Sequence, residues 1–275
     1  MRRTPGGRDV AASTSSAEKN QAMGFALAPA KLSVVIPVYN EKAFIQEILR
    51  RVQETPYEKE IVVVDDCSTD GTRQWLEQVA GYQALGKSEI SILDGAAQLP
   101  IGNLRIFFQQ KNGGKGASLR RGFAEAAGQV VIVQDADLEY DPKDYPKLLE
   151  PILDGRADVV FGSRFLGGPQ RVHFFWHFVA NSLLTLLSNM LTNLKLSDME
   201  TGYKAFRIEV LKGMRLKSDR FGFEPEVTAR VAKGKWRVYE VPISYYGRTY
   251  AEGKKITWRD GILALWFVVR YNLFG

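Results

Sequence analysis

Short runs of β-branched and aliphatic residues alternate along this chain with segments whose apolar positions recur at helical spacing. Residues 32–37 form an apolar run closed by Pro37, residues 60–64 form another, and residues 44–53 between them carry apolar positions three and four apart. A short apolar run bounded by turn-forming residues reads as a buried strand, whereas the three-and-four spacing reads as an amphipathic helix. The alternation continues with a helix near 72–79, a strand near 104–109, a helix near 116–127, a strand from Val130, a helix near 144–154 and a strand at 158–162. This rhythm predicts an α/β fold with a mainly parallel central sheet and helices on both faces.

Several segments depart from the rhythm. Residues 81–103 show no clear period and read as an insertion of unknown role. Residues 174–194 are about long enough to span a bilayer and carry no charged side chain. However, His177, Asn181, Thr185, Ser188, Asn189, Thr192 and Asn193 recur at steps of three and four, forming one uncharged polar stripe. The expectation is a helix lying between protein and membrane surface rather than across the bilayer; an ordinary helix packing its stripe on the sheet is the alternative. Residues 262–275 are too short to span but rich in interfacial aromatics, and Lys254, Lys255 and Arg259 lie nearby. They predict an amphipathic C-terminal helix seated on anionic lipid, with core packing as the competitor. Residues 1–30 lack the apolar core of a signal peptide and read as a disordered polar tail, which leaves 31–261 as the main domain.

A chain of 275 residues that is 45% hydrophobic suits one large α/β domain with a substantial core. Its net charge of +6 is dispersed rather than gathered into a run, so that phosphate-bearing metabolites or anionic lipid explain it as well as nucleic acid does; the partners expected from the chain as a whole include no nucleic acid. Cys67 is the only cysteine, so no internal disulfide can form, and with only two histidines a structural zinc site is not expected.

The strand from Val130 carries the chemistry. It reads Val-Val-Ile-Val-Gln-Asp-Ala-Asp-Leu-Glu over 130–139 and delivers Asp135, Asp137 and Glu139 at its carboxyl end, where open α/β sheets bind ligands. Mg²⁺ or Mn²⁺ is typically held by one or two carboxylates together with substrate phosphates, so a diphosphate-bearing substrate is the leading expectation. Helix capping or an Asx-turn is the competing explanation. A calcium loop is excluded, because Tyr140 stands where glycine is needed and Pro146 where the bidentate glutamate belongs.

Elsewhere, Pro37, Tyr39 and Glu41 follow the first strand, where Tyr39 can cover a base and Glu41 can accept hydrogen bonds from base or ribose, or simply cap the helix. Gly113, Gly114 and Gly116 permit close backbone approach to a ligand, and Lys115 adds positive charge. Neither the P-loop spacing nor a Gly-x-Gly-x-x-Gly turn after the first strand is present, which counts against a P-loop nucleotide site and against a dinucleotide dehydrogenase.

Taken in order, Val35-Ile-Pro-Val-Tyr-Asn-Glu41, Val62-Val-Val-Asp-Asp-Cys-Ser-Thr-Asp-Gly71, Asn112-Gly-Gly-Lys-Gly-Ala117 and Asp135-Ala-Asp137 resemble the family 2 inverting glycosyltransferases of the GT-A fold. The resemblance covers about residues 31–261. Three further segments, Val160-Phe-Gly-Ser-Arg-Phe165, Asp198-Met-Glu-Thr-Gly-Tyr-Lys-Ala-Phe-Arg207 and 240–255, narrow it to the polyprenyl- and dolichyl-phosphate mannose or glucose synthases.

That resemblance implies a metal-dependent transfer of mannose or glucose from GDP-mannose or UDP-glucose to a polyprenyl phosphate, by a protein peripheral on the inner, cytoplasmic face of the membrane. It implies a donor site of Pro37, Tyr39, Glu41, Val64, Asp66, Lys115, Asp135, Ala136, Asp137, Arg248 and Lys254, with Val64 and Asp66 at the nucleobase. Arg248 and Lys254 would lie on a loop that closes over the donor. Asp135 and Asp137 would bind Mg²⁺ or Mn²⁺, with Glu139 completing the shell where those synthases often have Gln. Arg164 would position the acceptor phosphate, so Asp137, Arg164 and Arg248 are the expected catalytic set. Those synthases hold the phosphate with an Arg and a Ser on the next helix, whereas this chain has His173 and His177. Either the histidines bind phosphate, or the acceptor is a glycan or small hydroxyl compound and His177 or a carboxylate is the base. A non-catalytic nucleotide-sugar-binding module is the reading from another class.

Overall fold

The computed structural model describes residues 31–167, 171–172, 175–220, 222–248 and 258–274. The expected tail at 1–30 therefore lies outside the described residues, as do His173 and Lys254. The strands are β1 (Leu32–Val38), β2 (Lys59–Asp65), β3 (Glu89–Ile92), β4 (Ala97–Pro100), β5 (Leu104–Phe108), β6 (Val130–Val133), β7 (Val159–Ser163), β8 (Lys204–Arg207) and β9 (Val238–Pro242). The α-helices are α1 (Ile45–Gln53), α2 (Thr72–Ala84), α3 (Lys115–Glu125), α4 (Tyr145–Leu153), α5 (Phe175–Thr192), α6 (Ile208–Lys212), α7 (Phe223–Lys233) and α8 (Trp258–Leu273).

Seven strands form the central sheet in the order β5-β2-β1-β6-β8-β7-β9. β8 runs antiparallel to both its neighbours, and every other pairing in this sheet is parallel. β2 and β6 are buried along their whole length, which is why residues 61–64 and 130–133 read as unbroken apolar runs, while Lys59, Glu60 and Asp65 of β2 are buried polar residues. Alternation on β1 divides its side chains between two cores: Val34, Ile36 and Val38 pack with Ile48, Leu76 and Leu149, while Val35 packs with Val62, Val131, Phe206 and Val227. Each such aliphatic side chain contributes about 1.5–3 kcal/mol by leaving water.

The segment at 81–103 is not irregular. It holds the end of α2 and a hairpin in which β3 and β4 pair antiparallel, Ile90 opposite Leu99. Ile90, Ile92 and Leu99 are buried against the first core while Glu89 and Ser91 are exposed, so a period of two was present over only four residues. The sequence pattern also missed β8 and β9.

α5 reverses the usual orientation of a surface helix. Its polar stripe faces the protein: Asn181 bonds Arg164 and Asp198, Thr185 accepts from the backbone N–H of Met199, and Asn189 bonds both backbone groups of Leu196. Leu184 and Leu187 pack against the second core, but other apolar residues point outward, with Phe175 66%, Trp176 75% and Met190 73% exposed. α8 begins at Trp258, four residues ahead of the expected boundary, packs against α5 and α7, and exposes Ile262, Leu263, Leu265 and Trp266. Among the described residues no helix is long and apolar enough to cross a membrane.

Candidate active site

All six parallel strands of the central sheet point their carboxyl ends to one edge, and that edge gathers the predicted residues. β1 leads to Tyr39 and Glu41, β2 to Asp66, β5 to the 112–114 turn, β6 to Asp135, Ala136 and Asp137, β7 to Arg164, and β9 to Tyr245 and Arg248. β8, which runs the other way, begins at the same edge, so the preceding residues 198–203 join the site. Sequence reasoning recognised the motif at 198–207 without assigning roles within it; Asp198 turns out to be the buried partner of Arg164.

The first two strand ends are tied together. Asn40, with a left-handed φ of 55°, accepts from the backbone N–H of Thr69 through Oδ1, and its own N–H donates to Ser68 Oγ. The Glu41 N–H donates to Thr72 Oγ1. This leaves Pro37 and Val64 paired in the sheet beneath, with Tyr39 39% exposed above. Asp66 is buried and accepts from the N–H groups of Gly113 and Gly114 at 2.8 and 2.7 Å and from Gln109 Nε2 at 2.8 Å. Burial pushes its carboxyl up from the ordinary value, which the glycine amides only partly oppose.

The glycines at 114 and 116 have another reason than ligand approach. A Cβ on Gly116 would fall 2.3 Å from the carbonyl oxygen of Ser218, and one on Gly114 2.7 Å from that of Asp219. The close neighbour is the 218–220 segment entering α7.

Lys115 and Arg248 sit against the β6 carboxylates. Lys115 Nζ is 2.9 Å from Asp135 and 3.2 Å from Glu224, a residue at the start of α7 that sequence reasoning missed because it belongs to no local motif. Burial opposes the charge on Lys115, but Asp135 and Glu224 outweigh it and keep the ammonium protonated. Gly202 makes room for this pair, since a Cβ there would come within 2.3 Å of Asp135 Oδ2. Arg248 reaches Asp137 at 2.9 Å, Glu41 at 3.3 Å and Glu139 at 3.5 Å. The Asp137 carboxyl is pushed up to about 7, first by burial and then by the charges of Asp135 and Glu139, with Arg248 opposing.

Arg164 binds Asp198 in a planar fork, Nε and Nη2 lying 2.6 and 2.7 Å from the two oxygens, and its guanidinium lies 5.2 Å from the Tyr245 ring centroid. Asp198 is fully buried; burial raises its carboxyl, but Arg164 more than compensates and holds it below the ordinary range. His177 lies on α5, half-buried.

The donor set suits a hard cation that arrives with its substrate. Among the described residues no three acidic, histidine or cysteine side chains converge on one point. Asp135 and Asp137 nevertheless lie close enough to repel each other, and two carboxylates plus phosphate oxygens are what Mg²⁺ or Mn²⁺ asks of a protein.

A mainly parallel sheet with this order and an acidic carboxyl edge has the architecture of the GT-A fold. The fold matches glucosyl-3-phosphoglycerate synthase from Mycobacterium tuberculosis, solved with Mn²⁺, uridine diphosphate and glucosyl-3-phosphoglycerate, at a TM-score of 0.63 and 18% identity over 89% of this chain and 79% of that one. Residues 33–215 match the family model Glycosyl transferase family 2, and the chain belongs to that family.

Among curated relatives it is 30% identical to a dolichol-phosphate mannosyltransferase of Pyrococcus furiosus over 82% of this chain, spanning 59% of that protein. It is equally identical to an undecaprenyl-phosphate mannosyltransferase of Micrococcus luteus, spanning 87% of it. A dodecaprenyl-phosphate galacturonate synthase of Rhizobium johnstonii is 26% identical over 88% of this chain and 68% of its own length. The protein is a glycosyltransferase.

Proposed function

We propose that this chain transfers a hexose, mannose or glucose, from a nucleotide diphosphate sugar such as GDP-mannose or UDP-glucose to a polyprenyl phosphate, with inversion and with Mg²⁺ or Mn²⁺. The observation that carries the reading is the continuity between the acidic edge and the outward apolar face of α5. Asn181 on that helix bonds Arg164, Arg164 stacks near Tyr245, and Tyr245 bonds Glu139 two residues beyond Asp137. A polar donor site and a lipid-facing surface thus meet across Arg164.

In this reading Tyr39, Glu41, Val64 and Asp66 take the base and ribose, and Ala136 lies beneath the diphosphate. Asp135 and Asp137 hold the cation, whose contribution when bound is to neutralise the leaving nucleoside diphosphate. Lys115 pairs with Asp135, and Arg248, with Lys254 outside the described residues, grips phosphate oxygens. An acceptor monophosphate has a second pKa near 6 and is already anionic at neutral pH, so positioning by Arg164 replaces a strong general base. His173 and His177 are the further candidates for that phosphate. The apolar residues of α5 and α8 would seat the protein on the inner, cytoplasmic face of the membrane, where the lone Cys67 stays reduced.

The test is to incubate the protein with Mg²⁺ or Mn²⁺, a panel of UDP- and GDP-sugars and polyprenyl phosphate, and to follow glycolipid by mass. A hexosyl polyprenyl phosphate is expected. Product formed only with glycan or small hydroxyl acceptors would replace this acceptor, and donor binding without any turnover would make the chain a binding module.

A further inference from the structure

Glu139 lies two residues beyond Asp137 and was expected to complete the cation shell, yet its bonds run to another part of the chain. Oε2 accepts from Tyr245 Oη at 2.7 Å and Oε1 from the Arg248 N–H at 2.9 Å, while its backbone carbonyl accepts from the Tyr246 N–H at 2.9 Å. The Arg248 Nε lies 3.5 Å away. Four contacts from one residue therefore fasten the stretch after β9 to the end of β6. Asp137 differs: among the described residues its Oδ1 accepts from the Glu139 N–H within its own turn, and Oδ2 meets the head of the Arg248 side chain.

We propose that Glu139 is the latch that docks the 245–248 segment over the acidic edge, and that Asp135 and Asp137 alone supply the protein's carboxylates to the cation. The division of labour follows from which atoms are held. Glu139 grips the backbone of residue 248, whereas the bonds from Asp137 and Glu41 are to its guanidinium. The Arg248 head can therefore leave these carboxylates for phosphate oxygens while the segment that carries it stays in place. A carboxylate at this position accepts two donors at once; Gln, with a single carbonyl oxygen, would offer an N–H₂ donor to one of them. Glu139 is thus a positioning residue for Arg248. The cation half of this inference rests on the function proposed above, and the latch half does not.

The experiment pairs calorimetric titration of Mn²⁺, in the presence of UDP and separately of GDP, with hydrogen exchange of the peptide covering 243–248. Glu139→Ala and Tyr245→Phe are expected to keep Mn²⁺ affinity within about threefold of wild type while their peptide exchanges about tenfold faster or more, the loss expected for a hydrogen bond to a charged group. Asp137→Asn is the contrast, losing Mn²⁺ affinity by about tenfold or more while the peptide's protection is kept. The inference is overturned if Glu139→Ala loses Mn²⁺ affinity to the same extent as Asp137→Asn, or if its peptide exchanges at the wild-type rate. If Glu139→Ala does not fold, Tyr245→Phe decides the latch, because it removes one donor and leaves the carboxylate intact. Wild-type protein that binds no Mn²⁺ with either nucleotide would overturn the cation assignment, while the exchange comparison would still decide the latch.

Discussion

Arg248 Nη2 lies 2.9 Å from Asp137 Oδ2, while Nη1 of the same guanidinium lies 3.3 Å from Glu41. One side chain thus joins the ends of β9, β6 and β1 and neutralises part of an acidic cluster that otherwise repels itself. Even so, the Asp137 carboxyl stands at about 7 against an ordinary 3.8.

A raised carboxyl means that the folded state holds its proton more tightly than the unfolded chain does. Its stabilising contribution is complete below about pH 4 and is lost as pH rises through about 7. Asp137→Asn removes that loss. The variant should melt above wild type at pH 8, by an amount on the order of 1–3 kcal/mol, and match it near pH 4. Transfer activity should fall about a hundredfold or more. Thermal melts across this pH range and a glycolipid assay check both halves.

Removing Arg248 leaves Glu41, Asp137 and Glu139 facing one another without their shared cation. Arg248→Ala should destabilise the fold by about 2–4 kcal/mol, as breaking a partly buried ion pair does. Added Mg²⁺ should then raise the melting temperature of the variant more than that of wild type, because it supplies the missing charge. Equal stabilisation of the two proteins would contradict this account of the cluster.

Glu200 gives a second pH signature. Its Oε1 is buried without a hydrogen-bond partner among the described residues, and burial, followed by the charge of Glu224, pushes the carboxyl up to about 8. Lys204, nearby, donates instead to the carbonyls of Met199 and Thr201. The folded state keeps the Glu200 proton between its ordinary 4.5 and about 8, so stability declines as pH rises across that window. Glu200→Gln should flatten this decline and gain on the order of 1–3 kcal/mol over wild type at pH 9, with little difference at pH 4. Denaturant melts at both pH values provide the comparison.

The outward apolar faces of α5 and α8 predict binding to lipid vesicles. Replacing Trp176 and Trp266 by Glu should lower partition onto anionic vesicles by about a hundredfold or more, since each exposed aromatic contributes roughly 1.5–3 kcal/mol when buried in the interface. Mn²⁺-UDP binding should not change. Co-sedimentation and calorimetry separate the two effects.

The strands that lead to the candidate site were legible because a parallel strand buried on both faces is largely apolar, as β6 is throughout and β2 is over residues 61–64. β8 was not, since Lys204-Ala-Phe-Arg207 looks like surface sequence although Lys204 is fully buried. The candidate site was legible as a set of strand ends but not as a set of partners. Arg164 finds Asp198 34 residues away, and Glu139 finds Arg248 109 residues away, separations across which no local pattern operates. Glu139 shows the limit most clearly: proximity to Asp137 in sequence suggested a ligand, while the folded chain turns its carboxylate toward the segment after β9. The polar stripe of α5 was visible, and so was the possibility of a membrane surface. That the stripe would face inward, tying 194–199 in place, required the packing.

The reversed direction of β8 has one more consequence. The chain leaves the sheet after Ser163 and returns at Lys204 on the same edge, so residues 164–203 hang from two neighbouring points. A segment anchored in this way can change in length without rethreading the sheet, provided that Gly202 is kept beside Asp135. A graft in this architecture therefore needs to match only the ends of two adjacent strands.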